Sequence, residues 1–326
     1  MNMKILVSGG AGYIGSHTVH LLRKLGHKVV VIDTLENGHR PSVPDDVPLH
    51  VCNIGDTEIV REILKNNQFD GVIHFAGYTE VGKSVIEPNS FFENNVVNGK
   101  KFLDVCLESK VKKFVFSSTA AVYGIPKTVP IPEDALKLPI NPYGQSKLTF
   151  EYILESYAKA YQMSCVALRY FNAAGADFGV GEHHDPETHL IPIILQTALG
   201  KRESIKIFGT DYNTPDGTCI RDYIHVIDLA KAHILALEKC ETGFHTYNLG
   251  IGKGYSVKEI VETSRQITGL DINAIESERR PGDPDQLIAK PDKAKKELEW
   301  ETEFNLDDII KSAWKWFSAN PDGFKN

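Results

Sequence analysis

The chain has 326 residues, of which 42% are hydrophobic and 24% are charged. These proportions are typical of a globular protein, and the length allows one large domain with a smaller lobe. The formal net charge of −7 argues against nucleic acid or an anionic membrane as a partner, so an anionic substrate requires local cations in its site.

The N-terminal residues and the cysteines indicate the compartment. Residues 1–5 run directly into a strand pattern, without the charged and apolar regions of a signal peptide. No apolar run is long enough to span a bilayer. The five cysteines are scattered and form no Cys-x-x-Cys pair. We therefore expect a cytoplasmic protein with reduced thiols, no membrane partner and no metal site.

Short apolar runs rich in β-branched residues alternate with longer helical patterns in the first half of the chain. The predicted elements, in chain order, are strand 5–7, helix 12–25, strand 29–32, a short strand at Val51, helix 57–66, strand 72–75, helix 94–108, strand 114–116, helix 142–160 and strand 165–168. Repeated β-α-β units with nearly continuous apolar strands predict an α/β fold with a doubly wound parallel sheet of the Rossmann type.

The pattern changes after residue 169. Residues 175–188 are rich in Gly, His, Asp and Glu and predict a loop at a domain boundary. Further helices are predicted near 190–199, 226–238, 257–268 and 306–317. We expect one domain formed by residues 1–174 and a smaller α/β domain formed mainly by residues 175–326, with segments near 222–250 returning to the first domain.

A glycine-rich turn follows the first predicted strand. Gly9, Gly12 and Gly15 stand where a Rossmann fold needs a tight turn, close backbone approach to a pyrophosphate, and close packing of helix on sheet. Asp33 ends the second strand, where a carboxylate can bind the adenosine ribose and would repel the extra phosphate of NADP. The alternative is a purely structural turn, but the strand–turn–helix context favours NAD as the cofactor.

The pattern Tyr-x-x-x-Lys occurs twice. The match that begins at Tyr123 contains Gly and Pro and is not helical. The match Tyr143…Lys147 opens a predicted helix, so its two side chains are neighbours. A lysine ammonium beside a phenol lowers the phenol pKa toward that of a general base. Thr119, at the end of strand 114–116, can offer a hydroxyl to the same substrate oxygen. The alternative is an ordinary surface helix beside a hydroxyl-rich turn.

Several segments together carry a more specific signal. They are Gly9-Gly10-Ala11-Gly12-Tyr13-Ile14-Gly15-Ser16-His17, His74-Phe75-Ala76-Gly77, Ala121-Val122-Tyr123-Gly124, Arg169-Tyr170-Phe171-Asn172, Arg221-Asp222-Tyr223-Ile224-His225-Val226, Tyr247-Asn248-Leu249-Gly250 and Arg279-Arg280-Pro281-Gly282-Asp283. With Tyr143 and Lys147, these segments resemble the extended short-chain dehydrogenase/reductases. Within that family they are most similar to the enzymes that invert C4 of UDP-glucose and UDP-galactose. The resemblance covers essentially the whole chain.

The resemblance implies an isomerase that uses NAD and a UDP-sugar. In dehydratases of the family an Asp-Glu pair follows the active-site hydroxyl and expels water, but Ala120 and Ala121 stand at those positions here. Methyl groups cannot transfer protons. The implied roles are proton removal from the sugar 4-hydroxyl by Tyr143, a hydrogen bond from Thr119 to the same oxygen, and tuning of Tyr143 by Lys147, which also holds the nicotinamide ribose. The 4-keto sugar then turns over, and NAD stays bound throughout.

The resemblance also implies two sets of binding residues. The NAD set is Gly9, Gly12, Tyr13, Ile14, Gly15, Asp33, Asn37, Asn53, Ile54, Phe75, Ala76, Gly77, Asn94, Ser117, Tyr143, Lys147 and Tyr170. The UDP-sugar set is Thr119, Phe171, Asn172, His189, Leu190, Phe208, Arg221, Arg280, Asp283 and Leu287. Within the second set, Arg221 and Arg280 are expected on the diphosphate, Asp283 near the uridine ribose and Phe208 against uracil.

Four positions depart from patterns common in the family. Asn53 replaces an Asp of the adenine pocket, and Thr79 replaces a Lys near the cofactor. His189 replaces an Asn and can still donate a hydrogen bond. Leu287 stands where some members have Tyr, which predicts a wider sugar pocket that also accepts UDP-N-acetylhexosamines. The other histidines, such as His183 and His184, are expected to be solvated loop residues rather than ligands.

The family also suggests a homodimer formed through helices 94–108 and 142–160. Two alternatives stay open. One is another NAD-dependent nucleotide-sugar epimerase, for N-acetylated or uronic acid sugars, which a substrate panel would separate. The other is a non-catalytic, NAD-sensing regulator, against which the intact Thr119, Tyr143 and Lys147 argue.

Overall fold

A parallel sheet of seven strands forms the centre of the computed structural model, which describes residues 2–280 and 282–325. Pro281, part of a segment quoted above, lies outside the described residues. In chain order the strands are β1 (Lys4–Ser8), β2 (Lys28–Asp33), β3 (Leu49–Val51), β4 (Gly71–His74), β5 (Lys113–Thr119), β6 (Ser164–Tyr170), β7 (Asn172–Ala174), β8 (Ile205–Phe208), β9 (Ile220–Arg221), β10 (Tyr223–His225), β11 (Gly243–Leu249), β12 (Tyr255–Ser256), β13 (Ala274–Ser277) and β14 (Gln286–Leu287). The sheet order is β3-β2-β1-β4-β5-β6-β11, and all neighbouring pairs are parallel. The predicted doubly wound sheet is confirmed.

Helices cover both faces of this sheet. In chain order the helices are α1 (Tyr13–Lys24), α2 (Thr57–Lys65), α3 (Val81–Ile86), α4 (Pro88–Phe92), α5 (Gly99–Glu108), α6 (Pro142–Tyr161), α7 (Leu190–Ala198), α8 (Val226–Lys239), α9 (Val257–Thr268), α10 (Asp292–Leu298) and α11 (Leu306–Ala319). None of the described helices is long and apolar enough to cross a bilayer.

The side-chain alternation of the strands builds two cores. Along β1, Ile5 and Val7 face the layer of α1 and α8, whereas Leu6 faces the layer of α2, α5 and α6. Because both faces are covered, the central strands are apolar at almost every position, which is why the sequence shows continuous runs rather than alternation.

A third core lies outside the central sheet. Helices α7, α9 and α11 pack with β8 around apolar side chains that include Ile194, Ile205 and Ile260. Short strands connect this region to the rest: β7 pairs with β10, β9 lies between β12 and β14, and β8 pairs with β13. Between β7 and α7 the described chain is irregular apart from the bridge that joins Asp177 to Val180. The predicted loop at 175–188 is thus confirmed.

Several features differ from the sequence prediction. Strands β7 to β14, including β11 of the central sheet, were not predicted. The predicted helix 94–108 is α-helical only from Gly99, because a π-helical segment, Glu93–Asn98, precedes α5. The short helices α3 and α4 were not predicted because each is a turn or two long and offers too few positions for a periodic pattern. Helix α10 was missed for the same reason.

Candidate active site

The phosphate turn (residues 9–15) lies at the switch point of the sheet, between the carboxyl ends of β1 and β4. A Cβ at Gly9 would lie 2.5 Å from the Ala76 nitrogen, and a Cβ at Gly15 would lie 2.1 Å from the Gly9 oxygen. Both positions therefore require glycine. At Gly12, just before α1, the nearest atom would be 3.4 Å away. Among the described residues no side chain caps the first turn of α1, and that turn carries no acidic residue. Its open amide groups fit a pyrophosphate.

Asp33 is held directly over this turn. Its carboxylate accepts the backbone N–H groups of Ala11 and Leu35, each at 2.9 Å. A Cβ at Gly38 would lie 2.7 Å from Asp33 Oδ1, so the chain has to pass close to the carboxylate at a glycine. Burial raises the pKa of Asp33, while the two N–H groups favour its charged form. An acceptor fixed in this way suits the hydroxyls of an adenosine ribose.

The other predicted residues of the adenosine end follow β2 and β3. Asn37 is exposed after β2. Asn53 turns the chain after β3, because its Oδ1 accepts the Gly55 N–H at 2.7 Å, and Ile54 is buried beside it. All three lie at the carboxyl edge of the sheet, the edge at which ligands bind in this class of fold.

Tyr143 and Lys147 lie at the carboxyl end of β5. Helix α6 begins after Asn141, whose Oδ1 accepts the Gly144 N–H at 2.8 Å. This cap places Tyr143 in the first turn of the helix and Lys147 one turn further on. Lys147 Nζ donates a hydrogen bond to the Ser117 oxygen at 2.9 Å, and the side chain is almost fully buried. The structure therefore joins the end of β5 to the start of α6, as the Tyr-x-x-x-Lys pattern predicts.

Other predicted residues surround this pair. The Thr119 hydroxyl lies close enough to the Tyr143 hydroxyl to lower its pKa, and Thr119 Oγ1 accepts the Ala121 N–H at 3.1 Å. A Cβ at Gly77 would lie 3.3 Å from Lys147 Nζ, so the segment after β4 reaches the same place. Thr119, Tyr143, Lys147 and Gly77 thus form one polar pocket between β4, β5 and α6.

The predicted lowering of the Tyr143 pKa is wrong for the chain by itself. Burial raises the pKa of Tyr143 to about 12, and the hydrogen bond with Thr119 lowers it by a smaller amount. Burial also lowers the pKa of Lys147 to about 7. Lys147 Nζ lies 6.0 Å from the centre of the Tyr143 ring and donates a hydrogen bond to the Ser117 oxygen instead. At that separation the cost of burying either charge outweighs the attraction between them.

The two arginines predicted for the diphosphate are both held in place by other side chains. Arg221 donates to Asp283 Oδ1 at 2.8 Å and to the Pro284 oxygen at 3.0 Å. The Arg280 guanidinium stacks 4.0 Å from the centre of the Phe208 ring. The structure thereby pairs four residues of the predicted UDP-sugar set, two by two.

The predicted sugar-side residues meet at the end of β6 and in β14. Phe171 and Leu287 pack against the buried Tyr123 and its neighbours. Leu287 pairs with Arg221 in the register of β14 on β9. Asn172 begins β7 and donates its N–H to the Asp222 oxygen at 2.9 Å. Leu287 therefore lies between the arginine side and the aromatic side of the site.

The histidines of the loop before α7 are less exposed than predicted. His189 precedes Leu190, the first residue of α7, and its Nδ1 lies 2.8 Å from Glu182 Oε1. The prediction that His183 and His184 are solvated is wrong. The His183 ring stacks on His39 with centroids 4.7 Å apart, and His184 faces the buried Glu182. Both are half-buried, because His39 and Phe324 cover the His183 ring and Glu182 faces His184.

Comparison with known proteins assigns this geometry to a family. The model of the NAD dependent epimerase/dehydratase family matches residues 5–250. The chain belongs to this family. The UDP-glucose 4-epimerase of Halalkalibacterium halodurans is 49% identical over 327 residues, covering 99% of this chain and 98% of the relative. The structure of UDP-glucose 4-epimerase from Bifidobacterium longum in complex with NAD+ and UDP has a TM-score of 0.94 and 38% identity, covering 98% of this chain and 100% of that chain. The UDP-Glc/GlcNAc 4-epimerase of Campylobacter jejuni has a TM-score of 0.86 and 39% identity, again covering 98% and 100%.

As a member of the NAD dependent epimerase/dehydratase family, the chain uses NAD, which confirms the cofactor predicted from the phosphate turn. The family resemblance drawn from the sequence segments is also confirmed. The family name covers two reactions, so the residues that follow Thr119 have to separate epimerase from dehydratase.

One residue of the pocket was missed by sequence reasoning. Asn94 is in the predicted NAD set, but its neighbour Asn95 is the buried one. Asn95 Nδ2 donates to the Ser146 hydroxyl and to the Tyr78 oxygen, each at 3.0 Å, and its Oδ1 accepts the Tyr78 N–H at 2.8 Å. The π-helical turn rotates this side chain inward, and nothing in a 3.6-residue pattern could have signalled that rotation.

Asp222 is a second missed residue. Its side chain is fully buried and accepts the N–H groups of Ile251, Gly252 and Ala289 at 2.8, 3.0 and 3.1 Å. Burial raises its pKa to about 6. Asp222 follows Arg221, so it ties three chain segments together behind the arginine. In the sequence, the only hint of this role is that Asp222 is the one acidic residue of the segment Arg221–Val226.

The glycines of the phosphate turn allow a matched pair of substitutions. Gly15→Ala is expected to lower the free energy of unfolding by about 3 kcal/mol, because its Cβ has no room. Gly12→Ala is expected to leave that free energy nearly unchanged, since φ at Gly12 is −78° and the space is open. Its methyl group would instead face the cofactor phosphates and weaken NAD binding by about 10-fold or more.

Urea unfolding and the NAD content of the purified variants measure these two effects. An equal loss of stability in both variants would contradict the conclusion that position 12 has room for a methyl group. An unchanged NAD content in Gly12→Ala would contradict the assignment of this turn as the pyrophosphate site.

Proposed function

We propose that this protein is a UDP-glucose 4-epimerase, which interconverts UDP-glucose and UDP-galactose through a transient 4-keto sugar. The observation that carries the proposal is the end of β5. The Thr119 hydroxyl lies beside the Tyr143 hydroxyl and lowers its pKa, and the next two residues are Ala120 and Ala121. A hydroxyl pair can move the proton of an alcohol, but no carboxyl group follows it to expel water. The full-length similarity to UDP-glucose 4-epimerases supports this function over dehydration.

The chain supplies proton transfer in both halves of the reaction. Tyr143 accepts the proton of the sugar 4-hydroxyl in the first half and returns it in the second. The Thr119 hydroxyl hydrogen-bonds the same oxygen. The charged form of Lys147 favours the phenolate of Tyr143 once the bound cofactor changes the surroundings that raise the Tyr143 pKa in the chain by itself. When bound, NAD supplies the acceptor and then the donor of hydride at C4 of the sugar. The 4-keto hexose has to rotate between the two half-reactions. The strong binding contacts are therefore expected to be made with UDP rather than with the hexose.

The residues that fit NAD extend from the phosphate turn to the polar pocket. The open amide groups of α1 hold the pyrophosphate, Asp33 binds the adenosine ribose, and Lys147 binds the nicotinamide ribose with the N–H groups that Ser117 leaves free. The rest of the predicted NAD set lines the edge between these points. Because the reaction regenerates its oxidant within one turnover, we assign NAD as a retained prosthetic group.

The UDP contacts follow from the paired side chains. Arg221 and Arg280 hold the diphosphate, Asp283 the uridine ribose, and Phe208 the uracil ring. Asp283 fixes the Arg221 guanidinium at 2.8 Å, so less side-chain freedom is lost when a phosphate binds. The remaining members of the predicted UDP-sugar set lie around the hexose. In this proposal residues 1–174, with return segments near 222–250, form the NAD domain, and residues 175–326 mainly form the UDP-sugar domain.

We also assign a homodimer and a cytoplasmic location. Val97 and Tyr152 are 40% and 53% exposed on the two segments predicted to pair, so the proposed interface would cover apolar side chains of both segments. All five cysteines are free and buried, which suits a reducing compartment. Sedimentation of the purified protein tests the dimer.

The proposed function is tested by incubating the purified protein with UDP-galactose, without added NAD. Formation of UDP-glucose is the expected result. Conversion that depends on added NAD would support the epimerase function but contradict the proposal that NAD stays bound to the purified protein. No conversion with or without NAD would contradict the function itself.

Lys147→Met is expected to lower kcat by about 100-fold and to move the rising limb of its pH profile to higher pH. The reason is that loss of a nearby ammonium raises the pKa at which Tyr143 becomes a base. The measurement is kcat from about pH 6 to pH 10. Lys127→Met is the matched control, since Lys127 is exposed and belongs to the other Tyr-x-x-x-Lys match. An unshifted limb in Lys147→Met would mean that Lys147 does not tune Tyr143.

Leu287 is expected to let the enzyme accept UDP-N-acetylgalactosamine as well as UDP-galactose. Leu287→Tyr should lower kcat/KM for the N-acetylated sugar by about 10- to 100-fold relative to UDP-galactose, since the larger ring fills the space of the acetamido group. Both substrates are assayed at one enzyme concentration. No detectable conversion of UDP-N-acetylgalactosamine by the natural chain, at an enzyme level that readily converts UDP-galactose, contradicts this specificity.

A further inference from the structure

Two histidines and two glutamates meet in the segment that leads from β7 to α7. They are Glu182, His184, Glu187 and His189, named here the His–Glu cluster. His189 Nδ1 lies 2.8 Å from Glu182 Oε1 and 3.3 Å from Glu187 Oε1. His184 Nδ1 lies 3.4 Å from Glu182 Oε1 and 3.7 Å from Glu187 Oε2. One donor atom of each residue lies within 4.8 Å of all the others, so the four side chains converge on a small volume.

These separations match the ligand shell of a small four-coordinate cation. Metal–ligand distances of about 2.0–2.1 Å in a tetrahedral zinc site place neighbouring ligand atoms about 3.3 Å apart. The four histidine–carboxylate distances, from 2.8 to 3.7 Å, lie on either side of that value, with Glu187 facing His184 through Oε2 and His189 through Oε1. Imidazole nitrogen and carboxylate oxygen are both zinc ligands, and two carboxylates balance the charge of a divalent ion.

A second observation is independent of the distances. His184 Nδ1 and Glu187 Oε2 are buried and have no hydrogen-bond partner among the described residues. The Glu187 side chain is only 2% exposed, and its other oxygen, Oε1, accepts the N–H groups of Thr188 and His189, each at 2.8 Å. Buried polar atoms almost always have a partner. The two atoms lie 3.7 Å apart, within ion-pair distance but without a hydrogen bond, so a cation held between them would satisfy both.

We propose that the His–Glu cluster binds one divalent cation of the zinc class, with four protein ligands and no position left for substrate. The prediction of no metal site rests on the scattered cysteines, and the cysteine pattern gives no information about a site formed by His and Glu. The cation holds the segment before α7 together. Tyr13 donates a hydrogen bond to the Gly175 oxygen at 2.6 Å, so the same segment borders the phosphate turn. The site is therefore structural, and it fixes His189 beside the first turn of α7.

Metal content tests the proposal on the enzyme with its NAD. The protein is incubated with zinc sulfate, freed of excess zinc by gel filtration, and analysed by mass spectrometry for metal. About one zinc ion per chain is expected. His184→Gln and Glu187→Gln are expected to retain less than about one-tenth of that amount. His183→Gln is the matched control, because this neighbouring ring stacks on His39 instead, and it is expected to retain as much zinc as the natural chain.

Cobalt(II) supplies a second readout, since a four-coordinate site gives it intense visible absorption bands that a six-coordinate hydrate lacks. Bands in the natural chain and their loss in His184→Gln support the proposal. If the buried variants fail to fold, His189→Asn replaces them, because the position is half-exposed and Asn is the residue expected there from the family pattern. Zinc below about one-tenth of an ion per chain in the natural enzyme, or equal zinc in the natural chain and the variants, overturns the proposal. The cluster would then consist of imidazolium–carboxylate ion pairs.

Discussion

Tyr143→Phe is expected to lower kcat for UDP-galactose by about 1000-fold, because the variant has no group that can take the 4-hydroxyl proton. The phenyl ring fills the same buried space, so the fold is retained. Only the contact of the hydroxyl with Thr119 is lost from the protein, at a cost of at most about 1 kcal/mol in the free energy of unfolding. The variant should also keep its NAD, since the phosphate turn, Asp33 and Lys147 are unchanged. Initial rates with UDP-galactose, NAD content and urea unfolding measure the three quantities.

Tyr123→Phe provides the matched control, because it deletes the same atom from the other Tyr-x-x-x-Lys match. The Tyr123 hydroxyl donates to Asn248 Oδ1 at 2.7 Å and accepts from Arg169 Nη1 at 2.8 Å. Its loss is expected to cost about 1–3 kcal/mol of stability while kcat stays within a few-fold of the natural value. A Tyr143→Phe enzyme with kcat within about 10-fold of the natural chain would remove Tyr143 as the base.

The sequence predicts the architecture well because the physical signals are local. Continuous apolar strands appear as runs, and a glycine turn between strand and helix can be recognised from three positions. The cap at Asn141 places Tyr143 and Lys147 on one helical face, so the i, i+4 spacing was sufficient to join them. The carboxyl end of β5 then follows from the general rule for ligand sites in open sheets.

The parts that were missed depend on three-dimensional packing. The inward rotation of Asn95 needs a π-helical turn, and the role of Asp222 needs three segments distant in sequence. The Tyr143 pKa was mispredicted because helical spacing specifies proximity but not burial, and burial dominates here. The His–Glu cluster escaped notice for a similar reason. In the sequence, the spacing of these residues indicates only a polar loop. The structure shows that two of the four are buried.

Glu151→Ala is expected to lower the free energy of unfolding by about 3–5 kcal/mol, because it leaves the Arg169 guanidinium buried without a counter-charge. The two side chains are each 2% exposed. Arg169 donates from Nε to Glu151 Oε1 at 2.9 Å and from Nη2 to Oε2 at 2.6 Å, a bidentate pair. Ser118 also donates to Glu151 Oε1, at 2.5 Å. Urea unfolding of the natural chain and the variant gives the difference.

The double variant Glu151→Leu/Arg169→Met separates a lost ion pair from an unpaired charge. Removing both partners is expected to recover a large part of the loss, since two apolar side chains fill the space without a buried charge. Recovery stays incomplete because Arg169 also donates to the Tyr123 oxygen and to the Glu133 carbonyl oxygen. A double variant no more stable than Glu151→Ala would mean that packing, rather than the unpaired charge, accounts for the loss.

The same pair connects stability to the proposed chemistry. Ser118, which Glu151 holds, lies between Ser117, the acceptor for Lys147, and Thr119, the partner of Tyr143. Loosening Ser118 should therefore misplace both neighbours, and kcat of Glu151→Ala is expected to fall by about 10-fold or more even where the variant is fully folded. In the double variant, kcat should stay low although stability returns, because neither Leu nor Met can hold the Ser118 hydroxyl. Full recovery of kcat together with stability would show that the ion pair supports the fold alone and does not position the end of β5.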